Sequence, residues 1–255
     1  MLVAAAVCPC PPLLVPDVAA GAAPELDGAR TACSDALAVL AASRPDRLIV
    51  VGPGAEEGLE RYPAGAVGDF RGFGVDVDVR LGTEAGTGTR AGSGSGTRTG
   101  SGSGPAGSGP LPASLAVGAW LLARTGWADA PLEGLAVSER LAPERCAEAG
   151  RELAAQAGRV ALLVLGDGSA CRSVKAPGYF DDRAAAFDER AARALGSADT
   201  GALEALDEHL AYELKAAGRA PWQVLAGAAE GAGLEGRLLY EDAPYGVGYF
   251  VAAWS

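Results

Sequence analysis

Three short apolar runs constrain the fold of this 255-residue chain more than any other feature. Residues 2–7, 48–51 and 160–165 read LVAAAV, LIVV and VALLVL, with no polar side chain among them. A strand that is apolar at every position must be buried on both faces, which is the condition of a parallel sheet covered by helices on either side. The intervals carry helical periodicity. In 24–42 the apolar residues fall at 26, 29, 33, 36, 37 and 40, and Pro45 ends the pattern. Similar patterns predict helices over 111–124, 143–157, 181–195, 199–217 and 221–232. Further strands are expected at 47–51 (the second run with Arg47), 134–137, 236–240 and 248–253, the last two joined by 241–246 as a candidate antiparallel hairpin. Residues 73–81 alternate strictly, with Val75, Val77, Val79 and Leu81 on one face, which predicts a half-exposed edge strand.

The expected architecture is a three-layer α/β fold, with a central, mostly parallel sheet and helices on both faces, in a single domain spanning 1–255. Residues 82–110 break the pattern. They are almost wholly Gly, Ser, Thr, Ala and Pro with two arginines, and such a segment has little to bury against its ordering entropy. It reads as a disordered insertion, with a mobile lid over a pocket as the functional alternative.

The balance of 32 acidic against 21 basic residues gives a net charge of −11, which argues against nucleic acid or an anionic membrane as partner. No apolar run approaches the roughly 20 residues that span a bilayer. The run ahead of Cys8 has the look of a lipoprotein leader, but no positive residue precedes Arg30 and Val7 suits a cleavage site poorly. A buried first strand and a cytoplasmic protein are the expectation. The five cysteines (8, 10, 33, 146 and 171) form no C-x-x-C pair, and an odd count suits reduced thiols. The expected partners are a small-molecule ligand and further copies of the chain.

Residues 166–195, GDGSACRSVKAPGYFDDRAAAFDERAARAL, follow the third apolar run and lead into a helix. The order of buried strand, G-D-x-S-H-type loop and G-Y-D-x-R…F-D-type helix resembles the class III extradiol ring-cleavage dioxygenases of the subunit-B-like family. That resemblance implies a site at the carboxyl ends of the parallel strands, in the loops 8–12, 52–57 and 166–179. There the family holds a non-haem iron with two histidines and a carboxylate, and a further loop histidine acts as acid and base. On alignment the first ligand position falls on Cys10, the second on Gly54, and the loop histidine on Ala170. The chain has one histidine, His209, in a charged helical stretch that reads as a solvated face. Glu213 is the acid nearest the place of the family's carboxylate. The resemblance therefore implies the family scaffold without iron and with no other cofactor.

Residue chemistry leaves several roles open. Asp167 and Ser169 either bind a polar substrate group or cap a tight turn. Asp181 and Asp182 read as the N-cap and first-turn charge of a helix. Phe187 belongs to a buried stripe with Ala184, Ala191 and Leu195. Cys10 and Cys171 read as space-filling thiols, as soft-metal or redox partners, or as nucleophiles lowered in pKa by Arg172 or Lys175. Phosphate-loop, dinucleotide and nucleophile-elbow motifs are absent. The expected function is that of an iron-free scaffold or small-ligand-binding relative that does not cleave rings. Its cleft would be bounded by Cys10, Gly54 and Ala170, with Asp167, Ser169 and Cys171 at the wall. The alternatives are an active aromatic-ring-cleaving oxidoreductase with unusual ligands, and a thiol-based enzyme using Cys10 and Cys171 with Asp167 and Lys175.

Overall fold

The computed structural model describes residues 1–82 and 109–255. The expectation for 82–110, apart from its ends, lies outside the described residues. In chain order the strands are β1 (Leu2–Cys8), β2 (Arg47–Pro53), β3 (Leu59–Tyr62), β4 (Val67–Asp69), β5 (Asp78–Arg80), β6 (Leu132–Val137), β7 (Val160–Leu165), β8 (Gly236–Asp242) and β9 (Tyr249–Trp254). The helices are α1 (Pro16–Ala19), α2 (Asp27–Ala42), α3 (Ala113–Thr125), α4 (Pro143–Ala154), α5 (Ala184–Ser197), α6 (Thr200–Glu204), α7 (Glu208–Glu213) and α8 (Arg219–Ala229).

A seven-stranded sheet runs in the order β3-β6-β2-β7-β1-β9-β8. β6, β2, β7 and β1 are parallel neighbours, so the three apolar runs lie side by side as their composition requires. The outer strands β3, β9 and β8 pair antiparallel, and β8 and β9 form the expected hairpin. Alternate side chains divide between two apolar layers. Leu2, Ala5, Val7, Ile49, Val51, Leu162 and Val164 face α4, α5 and α8. Ala4, Ala6, Cys8, Leu48, Val50, Leu163 and Leu165 face α2 and α3.

On the first layer, α4 and α8 meet at glycines. A Cβ on Gly150 would fall on the backbone of Val224 and Ala228, and one on Gly227 on that of Ala147. The helices are thus in main-chain contact, an approach that only glycine permits. Arg219 is buried in the first turn of α8 and donates to the carbonyls of Glu139 and Leu141 and to Gln223 Oε1. Gln223 in turn donates to the carbonyls of Glu204 and Leu206. This pair anchors the loop after β6 and the α6–α7 turn to one helix.

Three expectations need correction. Residues 73–81 are not an edge strand of the sheet; only Asp78–Arg80 is extended, in a separate two-stranded ribbon with β4. Arg71 explains this, because its guanidinium binds Asp69, Asp76 and Asp78 at 3.0, 2.9 and 2.7 Å and gathers the chain into a 3₁₀ turn that exposes Phe73. The helix over 199–217 is two short helices, since Asp199 caps Ala202 N and Asp207 caps Leu210 N, each starting a new turn. Asp181 and Asp182 precede rather than open α5, which begins at Ala184; Asp181 instead accepts from Arg183 N and its guanidinium. No described helix is long and apolar enough to cross a membrane.

Candidate functional site

β1, β2, β6 and β7 end at the same edge of the sheet, the edge from which a ligand approaches an α/β fold of this kind. β7 gives way there to Gly166-Asp167-Gly168-Ser169. Gly166 N extends the ladder by donating to Cys8 O at 3.0 Å, and a Cβ on Gly166 would overlap Gly218 at the start of α8. That contact fixes the strand end against the helix and directs Asp167 to the α2–α3 side. There Asp167 Oδ1 accepts from Cys10 N at 2.8 Å, while its carbonyl accepts from Gly218 N at 2.8 Å. Asp167 therefore joins the turn after β1 to the turn before α8. The acid is half-buried, and burial pushes its pKa up to about 7 against the opposing pull of the Cys10 N–H.

Ser169 is fully buried and turns the other way. Its N–H and hydroxyl donate to Asp188 at 2.7 and 2.8 Å, and Arg172 Nη1 reaches the same carboxylate at 3.0 Å. Asp188, on α5, is fully buried; burial raises its pKa and these three donors oppose the rise. Gly168 and Gly248 close over it, Gly168 N donating to Gly248 O and Gly248 N to Ser169 O. Of the two roles open for Ser169, its full burial and its bonds fit the structural one. The alignment residues did not point to Asp188, although its position four residues after the buried Ala184 put it on the inner face of α5.

The remaining candidates separate. Cys10 is almost fully buried and lies on the α2–α3 side with Tyr249. Cys171 lies in the opposite layer and donates its thiol to Leu214 O at 3.5 Å. The two thiols are on opposite faces of the sheet, so they form neither a redox pair nor a shared metal site. Burial pushes both thiols up in pKa. For Cys10 the charges of Asp167 and Glu139 add to the rise; for Cys171 that of Asp181 adds, and Lys215 and Arg183 oppose it. The activation by Arg172 or Lys175 that the sequence left open as one alternative is not built: Arg172 is committed to Asp188, and Lys175 stands on an exposed turn. A thiolate nucleophile does not fit either position.

At the other family positions, Gly54 has φ 146° and its Cβ would fall on the Pro112 ring, while Ala170 N donates to Leu214 O at 2.9 Å. Glu213 receives Arg183 Nη1 at 2.8 Å and His209 Nε2 at 3.3 Å in a surface network, and the His209 side chain is 85% exposed. Among the described residues no group of three His, Cys, Asp or Glu is placed to hold a metal ion. A donor set of one high-pKa thiol, a glycine and an alanine does not fit mononuclear iron.

Tyr249 was not foreseen. It begins β9 beside the Cys10 turn and is 2% exposed; burial and the neighbouring Asp167 and Cys10 push its phenol up in pKa. Its hydroxyl makes no hydrogen bond among the described residues. Its only sequence signal was an aromatic residue opening an otherwise core-like strand, which reads equally as packing. Surface cavities of about 530 Å³, lined by Arg140, His209 and Tyr212, and about 430 Å³, lined by Arg190, Ser197 and Leu206, lie away from these residues.

No protein-family model matches the chain, and no curated protein matches it. Among solved structures it is similar to that of the uncharacterized protein JW3007 from Escherichia coli K12, with a TM-score of 0.53 and 14% identity over 99% of each chain. At this identity the likeness is one of fold, and what it shows is a mostly parallel α/β architecture shared along the whole length of both chains.

Proposed function

We propose that the chain is a subunit-B-like relative of the class III extradiol dioxygenases that has lost iron chemistry and binds a small molecule at the carboxyl edge of its sheet. The observation that carries this reading is the state of the three family positions. Each follows a parallel strand at one edge, and each is occupied by a residue that cannot serve as an imidazole: Cys10 beneath Asp167, Gly54 beneath Pro112, and Ala170 on Leu214 O. Packing has taken over where ligation would be. The polar groups that persist at the edge, Asp167 and Tyr249, suit recognition rather than oxygen activation.

The test is an anaerobic Fe(II) titration of the full chain against a competing chelator, followed by oxygen uptake on catechol and protocatechuate. The expected outcome is no stoichiometric iron and no ring cleavage, with saturable binding of small molecules at Asp167. One bound iron per chain with oxygen uptake would overturn the reading and favour the ring-cleaving alternative.

A further inference from the structure

The polar atoms at the sheet edge share an electrostatic sign. Asp167 Oδ1 is held by Cys10 N, and Oδ2 has no partner among the described residues. The hydroxyl of Tyr249 also makes no side-chain hydrogen bond among the described residues, and the hydroxyl is not fully buried. All three lie on the α2–α3 side: Cys10 and Tyr249 belong to the same apolar layer, and Asp167 bonds the Cys10 turn.

Among the described residues, the side chains that act on these groups are acidic or neutral. Glu139 bears on Cys10 from the end of β6; Asp167, Tyr245 and Tyr240 bear on Tyr249. Tyr245 donates to Glu25 at 3.0 Å, which adds a further carboxylate on that side. Arg30 acts on Tyr245, and its guanidinium is spent on Asp27 and on the carbonyls of Leu14 and Ala23. Among the described residues no basic side chain pairs with Asp167. A half-buried carboxylate with one free oxygen, a phenol beside it and no counter-ion among the described residues is a site short of one positive charge.

We propose that the small molecule taken at this edge carries an ammonium group, which pairs with Asp167 Oδ2 while Tyr249 supplies a hydrogen-bond acceptor and an aromatic edge. This rests on the reading that the edge binds a small ligand and adds its chemical class. An ammonium would find here a charge-assisted bond in a partly desolvated setting, where such bonds are strong. An anionic ligand would meet the carboxylates of Asp167 and Glu139, so the same field sets selectivity.

Three probes that share a ring and differ in one group test it: benzylammonium, benzyl alcohol and benzoate, titrated into the full chain at pH 8 with ligand-observed NMR. Benzylammonium should bind at least tenfold more tightly than benzyl alcohol, and benzoate most weakly. Asp167→Asn keeps an acceptor for Cys10 N and should bring benzylammonium within about twofold of the alcohol. Glu139→Gln, at an exposed side chain, should weaken benzylammonium about twofold without changing the alcohol, and it serves if the Asn variant does not fold. If the alcohol or benzoate binds as well as the ammonium, the proposed class is wrong while ligand binding at the edge stands. If none of the three binds at millimolar concentration, the small-ligand reading falls with it.

Discussion

Two aspartates twenty-one residues apart show how much the neighbourhood decides. Asp188 is fully buried and saturated by three donors; Asp167 is half-buried and holds one. Replacing Asp188 by Ala strips the partner from a buried hydroxyl, a buried N–H and a guanidinium at once. A loss on the order of 3–5 kcal/mol is expected in urea denaturation, the range for breaking a buried charged network; a loss below 1 kcal/mol would show that the loop does not depend on it. Burial gives Asp167 a stability that depends on pH. Its pKa is raised in the folded chain from 3.8 to about 7, so between those values the folded state binds more protons than the unfolded state. Stability from this group is present at low pH and lost as pH rises through about 7. Asp167→Asn should therefore gain stability relative to the parent as pH goes from 4 to 8. A constant difference across that range would mean that the acid is not desolvated. Ser169 and Asp167 were visible in the sequence as a loop pair, but their division of labour was not. Which carboxylate faces which layer depends on the register of Gly166 against Gly218, a contact between residues 52 positions apart.

At the level of elements, burial on both faces made β1, β2 and β7 legible, because their all-apolar runs are only four to six residues long and end at Pro or Gly, too short for a buried helix. β3 and β4 were not legible: Leu59–Tyr62 and Val67–Asp69 are short, mixed in polarity and defined by their partners β6 and β5. The contact of α4 with α8 was likewise hidden, since Gly150 and Gly227 within helical patterns look like a propensity defect until their neighbours are known. Gly227→Ala should cost at least the ~1–3 kcal/mol typical of overpacking, because the obstacle is main chain and cannot change rotamer. Gly21→Ala, where a Cβ meets nothing within reach, is the control and should be nearly neutral by thermal denaturation. Equal effects at both sites would remove the case for main-chain contact between the helices. Capping divides the 199–217 stretch by a smaller energy. Asp207→Ala should cost about 1 kcal/mol through the loss of the bond to Leu210 N, read in the same denaturation experiment.

The whole molecule brings the family positions to one edge by topology alone, since β1, β7 and β2 are adjacent and parallel. The same topology separates what the sequence paired: Cys10 and Cys171 leave neighbouring strands at one edge and enter opposite layers. A plain test of whether the edge is only a few substitutions from a metal site is the variant Cys10→His, Gly54→His, Ala170→His. Restoring three imidazoles should not create tight Fe(II) binding, for two reasons. Glu213, the acid nearest the family's carboxylate position in sequence, is spent on Arg183 and His209. Residue 54 also cannot accept a side chain without movement, because φ is 146° and the Pro112 ring fills the Cβ position. Gly54→His alone should destabilise the chain by on the order of 1–3 kcal/mol, the cost of overpacking together with a backbone conformation that suits glycine. Chelator competition in the triple variant should leave Fe(II) affinity within about tenfold of the parent. A gain of several orders of magnitude would mean that Pro112 yields readily and that the edge keeps the shape of a metal centre.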